Sequence, residues 1–241
     1  MILAAGRGER MRPLTDSKPK PLLSVRGVPL LSHHLRAFLL AGYSKVVINT
    51  AWLEEKIVDY YGDSFSWPEL EGSRIHIEYS KEGADFGGAL ETAGGVIRAQ
   101  PLLDSAFWAV AGDVFIPGFQ FSNDIYERFV RSPQLAHLFL VPNPPHNLKG
   151  DFGLSAEGLA MNLQPNDLRP TYTYSSVGLF KKALFQAPFS LIKTGNPQGI
   201  KAALAPLLRQ AMDQNLISAE LLNSNWTDVG TPERLAALNS A

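Results

Sequence analysis

The chain has 241 residues, 22 Lys+Arg against 23 Asp+Glu for a net charge of −1, and 45% hydrophobic residues. That length accommodates one large α/β domain with its own core, and that apolar fraction excludes disordered, collagenous and coiled-coil chains. The balanced charge lacks the basic excess of a nucleic-acid binder, and the absence of cysteine removes disulfides, thiolate metal sites and Cys nucleophiles.

In chain order, residues 2–5 read as a short buried strand running into a Gly/Arg loop. The opening apolar stretch is too short for a signal-peptide core, and no apolar run approaches the ~18 residues that cross a bilayer. These features predict a cytoplasmic protein with no membrane partner and no nucleic-acid partner. Residues 29–41 carry Leu30, Leu31, Leu35, Phe38 and Leu39 at helical spacing, with Gly42 as C-terminal cap. A buried strand at Val46, Val47 and Ile48 precedes a helix over 53–61 stopped by Gly62. Ile75, Ile77 and Tyr79 alternate as a strand; 92–99 reads as a helix, 107–111 as a strand ending at Gly112-Asp113, 123–131 as a helix with Asn123 as a candidate cap, and 138–141 as a strand.

From Pro142 the pattern changes. The turn-rich Pro142-Asn143-Pro144-Pro145-His146-Asn147 precedes short strands at 152–154, 159–163 and 172–180, then a long helix over 199–214. The chain closes with Trp226-Thr227-Asp228-Val229-Gly230 and a helix capped by Thr231, with Pro232 in its first position. Apolar strands alternating with helices predict an α/β, Rossmann-like mixed and mainly parallel sheet flanked by helices, carrying a small β-rich lobe. No repeat, low-complexity tract or linker interrupts it, so a single domain is expected over 1–241.

Five segments carry residues suited to phosphate chemistry. Gly6-Arg7-Gly8-Glu9-Arg10 follows the first strand; glycines there let backbone N–H groups approach phosphate oxygens, and arginines neutralise them. It is neither a dinucleotide fingerprint, since Met11 stands where a third glycine belongs, nor a P-loop. Lys20 sits between Pro19 and Pro21, which stiffen the backbone presenting it; as a proline-rich loop it is expected to be exposed. Asp113 lies at the end of an apolar strand, where ligands of open α/β sheets bind, and with Asp228 it could hold Mg²⁺ through oxygen. Glu91-Thr92-Ala93-Gly94-Gly95 offers a helix cap and close backbone approach to a flat ligand. Each segment, taken alone, is also compatible with a turn, a cap or a solvated loop. The five histidines show no metal spacing.

Taken together, the segments resemble the sugar-1-phosphate nucleotidyltransferase family. LAAGRGERMRPLT is similar to its signature loop, PKPLL to its lysine segment, LETAGG to its base-side loop, AGDV and WTDVGTPERLAAL to its two metal motifs, in order along nearly the whole chain. The resemblance implies the nucleotide-diphospho-sugar transferase fold and the transfer of a nucleoside monophosphate from an NTP to a sugar 1-phosphate, with Mg²⁺ as cofactor. It places Ala5, Gly6, Gly8, Glu9, Arg10, Gly94 and Gly95 around the nucleotide. Lys20, Glu91, Gly150, Asp151, Gly178 and Lys201 fall around the sugar phosphate, Arg10 and Lys20 in catalysis, and Asp113 and Asp228 on the metal. Val141-Pro142-Asn143-Pro144 with Gly150-Asp151-Phe152, and Lys201 to Leu208, lean towards the members that uridylylate N-acetylmuramate 1-phosphate in peptidoglycan recycling. That acceptor's lactyl carboxylate points to Lys149, Arg169 or Lys201 as its partner, Lys201 first. Enzymes using mannose 1-phosphate with GTP, and an inactive regulatory subunit of the same fold, are the alternatives. Partners are therefore small-molecule substrates, with a monomer or homodimer expected. The sequence departs from the family at Ala111, where an Asn is usual, in an insertion at residues 83–89, and in lacking a Glu-Lys-Pro segment, with Gln164-Pro165-Asn166 nearby. No hexapeptide repeat follows Ala241, so no acyltransferase domain is expected.

Overall fold

The computed structural model describes residues 1–240. Ten strands form one sheet: β1 (Ile2–Leu3), β2 (Lys45–Thr50), β3 (Ser64–Phe65), β4 (Ile75–Lys81), β5 (Ala106–Ala111), β6 (Ala136–Val141), β7 (Phe152–Leu154), β8 (Ala160–Met161), β9 (Thr171–Lys181) and β10 (Ile217–Leu221). The parallel core is β4, β2, β1 and β5, side by side. Strand β9 then runs antiparallel to β5 on one side and β6 on the other, and β10 lies parallel beyond β6. The β7–β8 hairpin joins the first residues of β9 through Phe152–Tyr172 pairing and forms the β-rich lobe.

Strands such as Ala106–Ala111 are apolar without interruption because helices cover both faces. Helix Leu30–Leu40 supplies Leu31, Leu35 and Phe38 to one face; helices Glu91–Ala99 and Leu204–Met212 supply Val96, Ile97, Leu208 and Ala211 to the other. β1 is where the sheet reverses its winding, with β2 on one side and β5 on the other. The carboxyl ends of β1, β2, β4 and β5 therefore open onto one crevice, the usual ligand position of such sheets.

Several elements differ from expectation. The helix predicted over 199–214 forms only at Leu204–Met212. Residues before it instead lie along helix Glu91–Ala99: the Ala202 carbonyl accepts the Ala93 and Gly94 N–H groups at 2.9 and 3.0 Å, and Ala202 N–H donates to Leu90. The strand predicted over 159–163 shortens to Ala160–Met161, and β1 ends at Leu3, with Ala4 N–H shared between the Asn49 backbone carbonyl at 3.2 Å and its side-chain Oδ1 at 2.9 Å. Ser122, not Asn123, caps helix Asn123–Arg131; the Asn123 amide donates to the Ala41 carbonyl. Thr92 lies inside its helix, which starts at Glu91 after Leu90. Thr231 caps helix Pro232–Ser240 as predicted, its Oγ1 accepting Arg234 N–H. Residues 83–89, expected as an insertion, include most of a short helix, Glu82–Phe86.

Candidate functional site

The loops after β1, β4 and β5 and the end of β2 contribute to one cavity of about 860 Å³. Ala5, Gly6, Gly8, Glu9 and Arg10 line it from the loop after β1, joined by Lys20, Asn49 and Asp113. Gly8 has φ 67°, a left-handed conformation, and a Cβ there would stand 3.0 Å from the Thr15 methyl, so the turn requires glycine. Arg7 is turned aside over the Trp52 ring at 4.6 Å, whereas Arg10 is exposed at the cavity and forms no ion pair with any described residue.

Lys20 is not the exposed loop lysine anticipated. Residues Lys20–Leu22 form a 3₁₀ turn, only 6% of Lys20 is accessible, and its Nζ donates to Asp113 Oδ2 at 2.7 Å. The prolines hold the segment, while the partner comes from the end of β5, far along the chain. The result is a fixed ammonium with its counter-ion at the cavity wall.

Asp113 and Asp228 are brought together through the backbone. A two-residue strand, Val114–Phe115, pairs antiparallel with Thr227–Asp228, aligning Asp228 with Val114; Val229 N–H donates to the Asp113 carbonyl at 3.0 Å. Asp228 Oδ2 accepts from Arg234 Nη1 at 2.6 Å, with His146 Nε2 3.4 Å away. The Oδ1 of each aspartate accepts no hydrogen bond from a described residue. The backbone pairing sets the two residues side by side, but only Asp113 lines this cavity; Asp228 lines a separate pocket with His146 and Arg234, and no group of three or more His, Cys, Asp or Glu that could hold a metal occurs among the described residues. Mg²⁺ could use no more than one or two carboxylates here. That ion takes one or two carboxylates and completes its shell with water and substrate phosphate.

Against this strand pair lies His34, fully buried, with Nε2 3.0 Å from the Val114 carbonyl oxygen. Burial pushes its pKa down to about 4, so the imidazole is neutral at pH 7 and donates that hydrogen bond.

A second buried group ties the loop after β1 to helix Glu91–Ala99. Glu82 Oε1 accepts from the Asn49 amide at 2.6 Å and Oε2 from Leu90 N–H at 2.8 Å, while Asn49 Oδ1 accepts Ala4 N–H. Burial raises the Glu82 pKa; the Leu90 and Asn49 donors pull it back. Gly95 exists for this packing, since a Cβ there would fall 2.4 Å from Glu82 Oε1. Gly94 meets the Ile200 carbonyl oxygen in the same way, at 2.6 Å. Neither glycine lines the cavity; their backbone closeness is to protein, not to an open ligand position.

Glu91 and Asp151 also line the cavity, whereas Gly150 and Gly178 do not. Asp151 Oδ2 accepts Tyr174 N–H at 2.8 Å and Oδ1 faces the Asn147 amide. Gly150 turns the chain at φ 62° against Asn143 and Thr171, and Gly178 sits within β9 where a Cβ would meet the His137 carbonyl oxygen at 2.9 Å. Lys201 is exposed and outside the cavity, as is Lys149; Arg169 is engaged by both oxygens of Asp167. Sequence reasoning did not single out Asn49, Ser176 or Arg209, all of which line the cavity. Ser176 and Glu91 hold φ of 63° and 59°, uncommon for residues with a Cβ.

The chain belongs to the nucleotidyl transferase family, which matches residues 1–241, and it is a nucleotidyl-transferring enzyme. Among its relatives is the N-acetylmuramate alpha-1-phosphate uridylyltransferase of Neisseria meningitidis serogroup B, 42% identical over 98% of this chain and 94% of the relative. The bifunctional protein GlmU of Methanocaldococcus jannaschii is 27% identical over 96% of this chain; the match spans about half of that longer protein, 51%. The fold is that of the inositol-1-phosphate CTP transferase of T. maritima, with TM-score 0.69 and 16% identity over 99% of this chain and 93% of that one. A Bacillus anthracis protein assigned as a glucose-1-phosphate thymidylyltransferase and solved with sucrose superposes with TM-score 0.75 and 18% identity, covering 99% and 92%. No helix of the described residues is long and apolar enough to cross a membrane.

Proposed function

We propose that the chain joins UTP to N-acetylmuramate 1-phosphate, forming the UDP-sugar and pyrophosphate in cell-wall recycling. The observation that carries this reading is its near-full-length relation to the Neisseria uridylyltransferase; the cavity gives that relation a chemical form. A sugar 1-phosphate oxygen is already anionic, so its attack on the α-phosphorus, with pyrophosphate leaving, asks for no strong general base. No histidine lines the cavity. Catalysis is then positioning and charge neutralisation.

In this reading the backbone around Gly6 and Gly8 cradles the triphosphate, Arg10 neutralises it, and Lys20 sits against the phosphates being joined. Asn49 and Glu82 hold the loop and the base-side helix at a fixed separation. Glu91, Asp151 and Ser176 orient the acceptor. Asp113 and Asp228 would hold Mg²⁺, which when bound supplies further charge neutralisation to the phosphates. The enzyme works in the cytoplasm, as a monomer or homodimer, on small molecules.

Pyrophosphate release across the four common NTPs and a panel of sugar 1-phosphates tests the reading. The highest kcat/KM is expected for UTP with N-acetylmuramate 1-phosphate. A preference for GTP with mannose 1-phosphate would replace the substrates, and no release from any pair would replace the enzyme with a binding subunit.

A further inference from the structure

Three cations line the cavity: Arg10, Lys20 and Arg209. The first two stand at the phosphate loop, and Lys20 is already paired with Asp113. Arg209 belongs to a different wall, made by helix Leu204–Met212 and the lobe hairpin. Its Nη1 donates to Asn162 Oδ1 at 2.6 Å and its Nη2 to the Asp151 carbonyl at 3.0 Å, with the guanidinium carbon 5.1 Å from the Phe152 ring centroid. Asn162 is itself oriented, its amide donating to Asp213 Oδ1 at 3.0 Å. The guanidinium is thus fixed by neutral acceptors and an aromatic face, and no described carboxylate lies within 4.0 Å of it. The Asp151 carboxylate is turned onto Tyr174 N–H and Asn147 instead.

A rigidly held guanidinium with unsatisfied charge and spare N–H donors, facing a cavity, is a receptor for a planar anion. We infer that Arg209 reads a carboxylate carried by the acceptor sugar, and that it, not Lys201, Lys149 or Arg169, sets the preference for an acidic sugar. The inference rests on the proposed acceptor: N-acetylmuramate 1-phosphate carries a lactyl carboxylate that N-acetylglucosamine 1-phosphate lacks.

The test is the ratio of kcat/KM for those two sugar phosphates at fixed UTP, measured in wild type, Arg209→Gln and Arg209→Lys. Because both values come from one preparation, the ratio is insensitive to the fraction of protein folded. Glutamine retains hydrogen-bonding capacity towards Asn162 and the Asp151 carbonyl. The ratio is expected to favour the muramate in wild type and to fall by roughly 10- to 150-fold in Arg209→Gln, the worth of one charge-assisted hydrogen bond. Arg209→Lys, which keeps the charge without the fork, falls between them. A wild-type preference retained in Arg209→Gln overturns the role of Arg209 and leaves the acceptor standing. The absence of any preference in wild type overturns the acceptor, and the inference with it.

Discussion

Replacing Lys20 by methionine separates that side chain's charge from its bulk. Lys20 is 6% accessible, and its stem packs against the Gly8 backbone, where a Cβ would lie 3.3 Å from Lys20 Cβ. Methionine fills nearly the same volume, a swap that cores tolerate. What is lost is the 2.7 Å contact to Asp113, whose side chain is 40% exposed and regains water. Solvent screening limits the stability change to about 1 kcal/mol or less, a shift of about 2–4 °C in Tm for a chain this size. The ammonium's contribution to phosphates gaining charge is of another order, about 2.7–4 kcal/mol, or roughly 10²–10³ in kcat. Continuous pyrophosphate release at saturating substrates, beside a thermal melt, reads both quantities. A kcat within threefold of wild type would refute the role of Lys20, and a melt lowered by more than about 10 °C would make any rate loss one of folding. Lys20→Ala is the poorer variant because it also empties the space beside Gly8 and Thr15.

Glu82→Gln leaves one of the Leu90 and Asn49 donors facing an amide N–H, so urea denaturation should show a loss of about 1–3 kcal/mol; an unchanged midpoint contradicts the clamp. His34 titrates near pH 4 when folded and 6.5 when unfolded. The unfolded chain therefore binds the proton first, and stability falls as pH drops from about 6.5 to about 4, by on the order of 3 kcal/mol. His34→Gln should flatten that fall in urea midpoints measured across the range; parallel pH profiles would dismiss it. Asp228→Asn should weaken the apparent Mg²⁺ dependence of turnover and abolish Mn²⁺ relaxation enhancement at the site, and retention of both would remove Asp228 from the metal.

The legible parts of the fold were those set by local pattern. Val46–Ile48 and Phe107–Ala111 are apolar runs that only a doubly covered strand can bury, and Thr231-Pro232 starts a helix by its own chemistry. Tertiary contacts overrode pattern elsewhere. Lys201 to Leu208 has good helix formers, yet Ala202 donates to the Leu90 carbonyl and accepts from Ala93 and Gly94, so the helix waits until Leu204. The strand Ile217–Leu221 was legible but not singled out: Ser218 and Glu220 alternate strictly with Ile217, Ala219 and Leu221.

At the site, the phosphate loop and Asp113 were visible because glycine spacing and a strand end are local features. The burial of Lys20 was not, because its partner lies 93 positions away. Arg209 reads as one more polar residue on an amphipathic helix; only the lobe hairpin folding back onto that helix turns it towards a cavity. Gly94 and Gly95 were visible as close-approach positions, but what approaches them is the chain itself.

In the proposed reaction the acceptor's phosphate oxygen attacks the nucleotide at its α-phosphorus within this cavity. Sugar 1-phosphate labelled with ¹⁸O on its non-bridging phosphate oxygens, incubated with unlabelled UTP and analysed by mass spectrometry, tests it most directly. All the label is expected in the UDP-sugar, with the released pyrophosphate unlabelled. Label in the pyrophosphate, or a UDP-sugar that has lost it, would rule out attack by the acceptor phosphate on the α-phosphorus.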